Sequence, residues 1–354
     1  MTTRTRAQNF CDRFGLRLPI LQAPMAGTCP APLAAAVASA GGMGGLGALL
    51  NNPEQIRAWA ADFRAQSNGT FQINLWVPDP APLRDPAHEA RVREVLSGLA
   101  GTAVPDAGPG PFTADFAAQV EAILEARPPI ASAMMGVFPP EVAARLAERG
   151  IAWFGCATTV AEGRAAEAAG AAAVVAQGAE AGGHRGSYDQ AAAEGQLNGL
   201  FALLPQVVDA VRIPVIAAGG IMDGRGIAAA LTLGASAVQM GTAFLRCPET
   251  SLNPHWAAAL ARAQPEDTVL TRGFSGRLAR GIRNAVTEAF AGELAPAPYP
   301  VQRALMLKVR AAAEAAGDAS RMQTWAGQGA AMGTAEPAGE LVRRLWAEAE
   351  ALLP

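Results

Sequence analysis

The sequence predicts an α/β fold: a (β/α)8 TIM barrel with a mainly helical insertion between its last strand and its final helix. Three observations predict it. Eight short apolar runs alternate with Ala-rich amphipathic stretches at a steady beat. Each run is apolar throughout, as expected of a parallel strand covered by helices on its outer face. The distinctive glycines, amides and one histidine fall just after these runs, where a barrel gathers its ligand-handling loops.

In order, the strand runs are 19–23, 42–46, 71–75, 130–133, 151–154, 172–176, 213–217 and 235–240. The helical stretches between them are 31–40, 53–66, 114–126, 139–148, 160–169, 199–211 and 224–233. In the fourth of these, Val142 and Leu146 lie one turn apart. Gly150, Gly170 and Gly234 each follow a helix and precede a strand, the usual place for a helix stop. A doubly wound open sheet is the alternative topology. Two segments fall outside the repeat. Residues 78–112 are a Pro- and Gly-rich excursion after the third strand, on the side where barrels place active-site loops. The expected organisation is a barrel over 1–244, a helical insertion over 245–335, and a return over 336–354 with a final helix at 340–353.

Composition narrows the function. With 354 residues, 51% of them hydrophobic and 17% charged, there is ample material for a large core. A net charge of −3 without a basic run argues against nucleic acid as a partner. Cys11, Cys29, Cys156 and Cys247 are far apart, which suits free thiols in a reducing compartment. Only three histidines (His88, His184, His255) are present, so no metal site is expected. The N-terminus lacks an apolar signal region and no long apolar span follows, so a cytoplasmic protein without a membrane partner is expected. Among 28 basic side chains Lys308 is the only lysine. It is either a chance survivor of an arginine-rich genome or a place where a compact ammonium is needed.

The most telling segment is Gln-Gly-Ala-Glu-Ala-Gly-Gly-His-Arg-Gly at 177–186. Gly182 and Gly183 would let the backbone approach a planar or anionic ligand, and His184 could move a proton near neutral pH. A tight turn with one solvated histidine is the plain alternative. Other strand ends add Ala23, Pro24 and Met25, then Asn74, then Gly219 and Gly220, then Gln239, Met240, Gly241 and Thr242. Backbone N–H groups at Gly219–Gly220 and Gly241–Thr242 can converge on one phosphate, the usual barrel grip. Amides at Asn74, Gln177 and Gln239 suit a flat hydrogen-bonding ring, and phosphate plus ring points to FMN.

Together, Ala-Pro-Met-Ala-Gly (23–27), the 177–186 segment, Ala-Ala-Gly-Gly-Ile-Met-Asp-Gly-Arg-Gly (217–226) and Gln-Met-Gly-Thr-Ala-Phe-Leu (239–245) resemble the nitronate monooxygenase family, formerly called 2-nitropropane dioxygenases. Later segments resemble its class I members: Thr-Arg-Gly-Phe-Ser-Gly-Arg (271–277), Ala-Arg-Gly-Ile-Arg-Asn (279–284) and Trp-Ala-Gly-Gln-Gly (325–329). The resemblance implies FMN on Asn74, Gln177, Gly182, Gly219 and Gln239–Thr242, with Met25 near the ring and His184 as the active-site histidine. It also implies Tyr299 and Lys308 near the substrate. The family often has further aromatics there, whereas this chain has only two tyrosines, Tyr188 and Tyr299. Residues 78–112 match nothing in the family pattern.

The reaction implied is oxidation of an alkyl nitronate by O2 to a carbonyl compound and nitrite, through a flavin semiquinone. Propionate 3-nitronate is the expected substrate, and the enzyme a monomer or homodimer. His184 would hydrogen-bond the nitronate and take the α-proton of a neutral nitroalkane. Two rivals remain. One is an FMN-dependent NAD(P)H reductase of enoyl thioesters or quinones, which would share the Gly-Gly-His loop but should show a basic patch for an acidic carrier; the other is a flavin-binding protein without turnover. Arg272, Arg277, Arg280 and Arg283 are read as salt-bridge formers fastening the insertion to the barrel, and Ser275 has no base within predicted reach. Trp325 and Gln328 either close the pocket or pack the insertion.

Overall fold

The computed structural model describes residues 1–354 except Ser251, within the expected insertion, and Pro354, at the end of the expected return segment. Eight parallel strands form the core: β1 (Ile20–Gln22), β2 (Gly44–Gly47), β3 (Phe71–Trp76), β4 (Ile130–Met134), β5 (Ala152–Ala157), β6 (Ala173–Gln177), β7 (Val215–Ala218) and β8 (Ala237–Met240). They pair in the order β1-β8-β7-β6-β5-β4-β3-β2. A parallel bridge between Leu21 and Met43 brings the two edges together and closes the barrel, which sets the open-sheet alternative aside. All eight expected strands are present, each shifted by no more than a few residues.

The strands are buried from both sides, apolar toward the helices and largely apolar within, with buried amides such as Gln22, Gln72 and Asn74 on the inner face. The covering helices begin where capping chemistry allows. Asn52 caps Pro53–Gln66 in a reciprocal pair with Gln55, and Thr159 does the same with Glu162 for Val160–Ala168. Gly150, Gly170 and Gly234 take positive φ of 70°, 87° and 111°, the left-handed backbone that stops a helix at little cost in glycine. The final helix, Ala338–Leu352, packs against Ala31–Ala40 and Gly224–Thr232, the helices that follow β1 and β7.

Three features were not read from the sequence. Helix Thr3–Phe14 buries Ala7, Phe10, Cys11 and Phe14, and the last three pack with Phe154, Ile130 and Ile216 beneath the barrel. Their spacing is helical, and Thr2 and Gly15 cap the ends. Secondly, the 78–112 excursion contains a 15-residue helix, Pro86–Ala100, capped by Asp85. Thirdly, the segment after β8 holds a β-hairpin (Thr268–Thr271 with Ala279–Ile282) as well as short helices. Val92, Leu96 and Val104 from the excursion share one core with Phe274, Val286, Val301, Leu305 and Val309 from the insertion. The two irregular segments therefore pack together.

Candidate active site

A cavity of about 380 Å³ opens at the C-terminal ends of the strands. Ala23, Pro24, Met25, Asn74, Gln177, Gly182, Gly183, His184, Gly219, Gly220, Gln239, Met240, Gly241, Thr242 and Tyr299 all line it. Their convergence follows from the topology, since each sits at or just past the end of a barrel strand, apart from Tyr299, which the insertion supplies.

The cavity floor is an amide layer. Side chains alternate along a strand, so Gln72, Asn74 and Trp76 of β3 share one face. Gln72 Nε2 donates to Gln239 Oε1 (3.1 Å), and Asn74 Nδ2 donates to Ser132 Oγ (3.1 Å). Gln72 Oε1 and Asn74 Oδ1 are buried and have no protein partner. Buried acceptors of this kind call for a donor. Gln177 differs: its Oε1 accepts from the Gly186 backbone (2.8 Å) and its Nε2 donates to the His184 carbonyl (3.0 Å). That amide shapes the loop carrying His184.

On one side the wall is close backbone. Gly219 and Gly220 have φ of 116° and 71°. A Cβ at Gly182 would lie 2.4 Å from the Gly327 nitrogen, so only glycine fits between the barrel loop and the insertion there. Thr242 Oγ1 accepts from Gly327 N–H (3.0 Å), a second tie across the same seam.

His184 is fixed three ways. Gly183–His184 forms a short strand that pairs antiparallel with Ala279–Arg280 of the insertion hairpin. Its Nε2 lies 2.7 Å from Ser275 Oγ in the turn of that hairpin. Its ring is edge-on to Trp76 (4.7 Å between centroids, 74°) and tilted against Trp325 (4.8 Å, 55°). Burial pushes the imidazole down to about 3, and the charges of Arg277 and Arg303 push the same way. His184 is therefore neutral at neutral pH. Tyr299, tilted against Trp76, is pushed by burial up to about 12 and stays protonated.

Lys308 does not reach the cavity. Val301, Leu305, Met306 and Val309 turn their helices' apolar face into the second core, which leaves Lys308 exposed on the other side. Arg303 and Arg310, seven residues apart on one face, line the cavity instead. Compositional rarity pointed to the lysine, and helical phase excludes it. The insertion arginines divide. Arg272 pairs with Glu194 (2.5 Å) and Arg277 with Asp79 (3.3 Å), both bridging to barrel loops, while Arg283 pairs with Glu288 inside the insertion. Arg280 Nε donates to the Ala179 carbonyl (2.9 Å).

Four contributors were missed by sequence reasoning. Gln72 and Trp76 were signalled by their period-two spacing from Asn74. Ser275 was read as lying out of reach of any base, but the fold of the insertion brings it to 2.7 Å from His184 Nε2, and Arg303 carried no local signal. Trp325 lines the cavity and stacks edge-on against Phe274 (5.0 Å, 83°), so it both closes the pocket and packs the insertion. Gln328 only joins the seam, its backbone N–H donating to the Glu180 carbonyl (3.0 Å). All four cysteines are free, and burial raises each thiol to about 12, so none is a ready nucleophile. Among the described residues no His, Cys, Asp and Glu cluster is placed to hold a metal ion, and no helix is long and apolar enough to cross a membrane.

Known proteins are similar to this chain over nearly its whole length. A protein named nitronate monooxygenase from Paraburkholderia phytofirmans is 41% identical, with the match covering 98% of this chain and 96% of the relative. A solved structure of nitroalkane oxidase from Streptomyces ansochromogenes superposes with a TM-score of 0.88 at 40% identity, covering 97% of this chain and 98% of the other. FabK from Thermotoga maritima is more distant, with a TM-score of 0.75 at 28% identity over 97% and 96% of the two chains. The family model described as nitronate monooxygenase matches residues 8–348, which takes in the barrel, the His184 loop and the insertion that closes over it. The chain is thus an oxidoreductase that belongs to the nitronate monooxygenase family.

Proposed function

We propose that the chain is an FMN-dependent nitronate monooxygenase, oxidising alkyl nitronates such as propionate 3-nitronate with O2 to a carbonyl compound and nitrite. The family is flavin-dependent, and the residues present fit such a group. Gln72 Oε1 and Asn74 Oδ1 are buried acceptors lacking a donor, as the N–H edge of a flavin ring would be. The glycine backbones at 219–220 and 241–242 border the same cavity, ready for a phosphate. Asn74, Gln72 and Gln239 would hold the ring, and Met25 would lie against it. Bound there, the flavin supplies the one-electron acceptor this oxidation needs.

The observation that carries the reading is the placement of His184. Its ring is wedged between Trp76 and Trp325 on the cavity wall, with Nε2 on Ser275 Oγ. With Nε2 engaged by Ser275, Nδ1 is the ring nitrogen left for a bound substrate. The neutral imidazole hydrogen-bonds a nitronate oxygen when that nitrogen carries the proton, and accepts the α-proton of a neutral nitroalkane when it does not. Acid–base help works best when the group's pKa lies near the working pH. A histidine held near 3 is a poor match, so preformed nitronates suit this site better than neutral nitroalkanes. Trp325 and Tyr299 add apolar ring surface to the same cavity.

The test is to load the protein with FMN and mix it anaerobically with propionate 3-nitronate, NADH or NADPH while following flavin absorbance. Rapid change with the nitronate alone is the expected result. Bleaching by NADH or NADPH, with no response to nitronates, would move the chain to the reductases.

A further inference from the structure

We propose that Arg303 is the anchor for an anionic substrate: its guanidinium, set in the cavity wall with no carboxylate partner, binds a substrate oxyanion through its two free donor positions. The inference rests on the nitronate-oxidising reading of the site and names the residue that gives it charge selectivity.

Arg303 sits on helix Val301–Leu305, whose Val301 and Leu305 are buried in the second core. That orientation points Arg303 at the cavity, which it lines. Nη1 donates to the Phe112 carbonyl at 2.9 Å, which steadies the side chain. Among the described residues Nε and Nη2 find no protein acceptor and no carboxylate lies within ion-pair distance. Of the neighbouring cations, Arg277 faces Asp79 and Lys308 is turned to solvent, while Arg310 also lines the cavity.

A partly buried guanidinium without a counter-ion is costly, and an anionic ligand relieves that cost. Of the two guanidinium groups lining the cavity, Arg303 and not Arg310 acts on both His184 and Tyr299. His184 is neutral, so it offers a hydrogen bond but no charge. The chain as a whole carries −3, so attraction must be local. The Arg303 charge adds to the burial that keeps His184 neutral and partly offsets the burial that raises Tyr299. Its fork geometry suits two oxygens of one planar oxyanion, whether the nitronate group or a carboxylate further along the substrate.

The experiment uses FMN-loaded wild type, R303Q, R303K and K308Q. Steady-state KM and kcat are measured with ethylnitronate, propionate 3-nitronate and neutral nitroethane. Separately, nitrate, a planar oxyanion that does not react, is titrated against the flavin absorbance. R303Q is expected to weaken nitrate binding and raise KM for nitronates roughly 10-fold or more, the usual cost of losing a charged hydrogen-bond partner. KM for nitroethane should stay near wild type, R303K should fall between, and K308Q should match wild type. A KM rise for both nitronates identifies the nitronate group as the bound oxyanion; a rise for propionate 3-nitronate alone identifies its carboxylate. Unchanged nitrate affinity in R303Q, or an equal KM rise for nitroethane, overturns the proposal. If R303Q loses its flavin, R303K decides, since wild-type nitrate affinity there rules out the fork. Should wild type oxidise no nitronate, the functional reading fails, and the nitrate titration still tests Arg303.

Discussion

His184 Nε2 and Ser275 Oγ lie 2.7 Å apart although 91 residues separate them in sequence. The same hairpin that supplies Ser275 also pairs its Ala279–Arg280 strand with Gly183–His184. Backbone and side chain of the histidine are thus fixed by one element of the insertion. Ser275 is fully buried and its oxygen also accepts from the Arg277 backbone at 3.3 Å, so it has no path to a substrate. Its contact with Nε2 places it to set the ring orientation and the tautomer of His184.

Ser275→Ala should therefore lower kcat without emptying the site. Loss of one such hydrogen bond is worth about 1 kcal/mol, which corresponds to roughly a 5-fold fall in turnover. Flavin content should stay at wild type, and the acid limb of the pH–rate profile should move as the imidazole loses its partner. A variant with an unaltered pH profile would show that Ser275 does no more than fill space.

The depressed pKa of His184 makes a stability prediction with a definite sign. Above its ordinary value of 6.5 the ring is neutral in folded and unfolded chains alike, and it adds no pH dependence. Between 6.5 and about 3 only the unfolded chain takes up the proton, so stability is lost as pH falls. The slope approaches about 1.4 kcal/mol per pH unit at most. His184→Asn should flatten the Tm-against-pH curve of the flavin-loaded protein across that window. Parallel curves for the two proteins would mean the ring titrates normally.

How much of this was readable beforehand depends on where the information sits. The barrel was legible because each β/α unit carries its own signal: an apolar run, an amphipathic stretch and a stopping glycine such as Gly150 or Gly170. His184 and the Gly219–Gly220 loop were legible for a related reason, as unusual residues at strand ends. Arg303 and Ser275 were not, because nothing within a few residues of either marks a cavity that the insertion reaches only after folding. Lys308 shows the opposite error, a residue conspicuous in composition that helical phase turns outward. Helix Pro86–Ala100 was hidden by the prolines around it, although Pro86 at a helix start is favourable.

Gly219 offers a test of the phosphate loop. Its φ of 116° lies where side chains are strained, and a Cβ there would sit 3.1 Å from the Ala181 nitrogen. Gly219→Ala should cost about 1–3 kcal/mol of loop geometry, seen as FMN binding weakened roughly 10- to 100-fold. Equilibrium titration of the apoprotein with FMN reads this directly. Unchanged affinity would place the phosphate elsewhere in the cavity.

The last prediction separates the two tasks assigned to His184. A nitronate arrives already deprotonated, so replacing the ring should cost it only a hydrogen bond. A neutral nitroalkane must also lose its α-proton, and base assistance is typically worth about 100-fold or more. His184→Asn keeps a donor of similar size and should lower kcat/KM for ethylnitronate about 10-fold. For nitroethane the loss should approach about 100-fold, at the lower end because a base held near 3 is weak. Steady-state kinetics with both substrates under identical O2 decides the matter. Equal losses would leave His184 as an orienting group for the anion, with the proton removed in solution before binding.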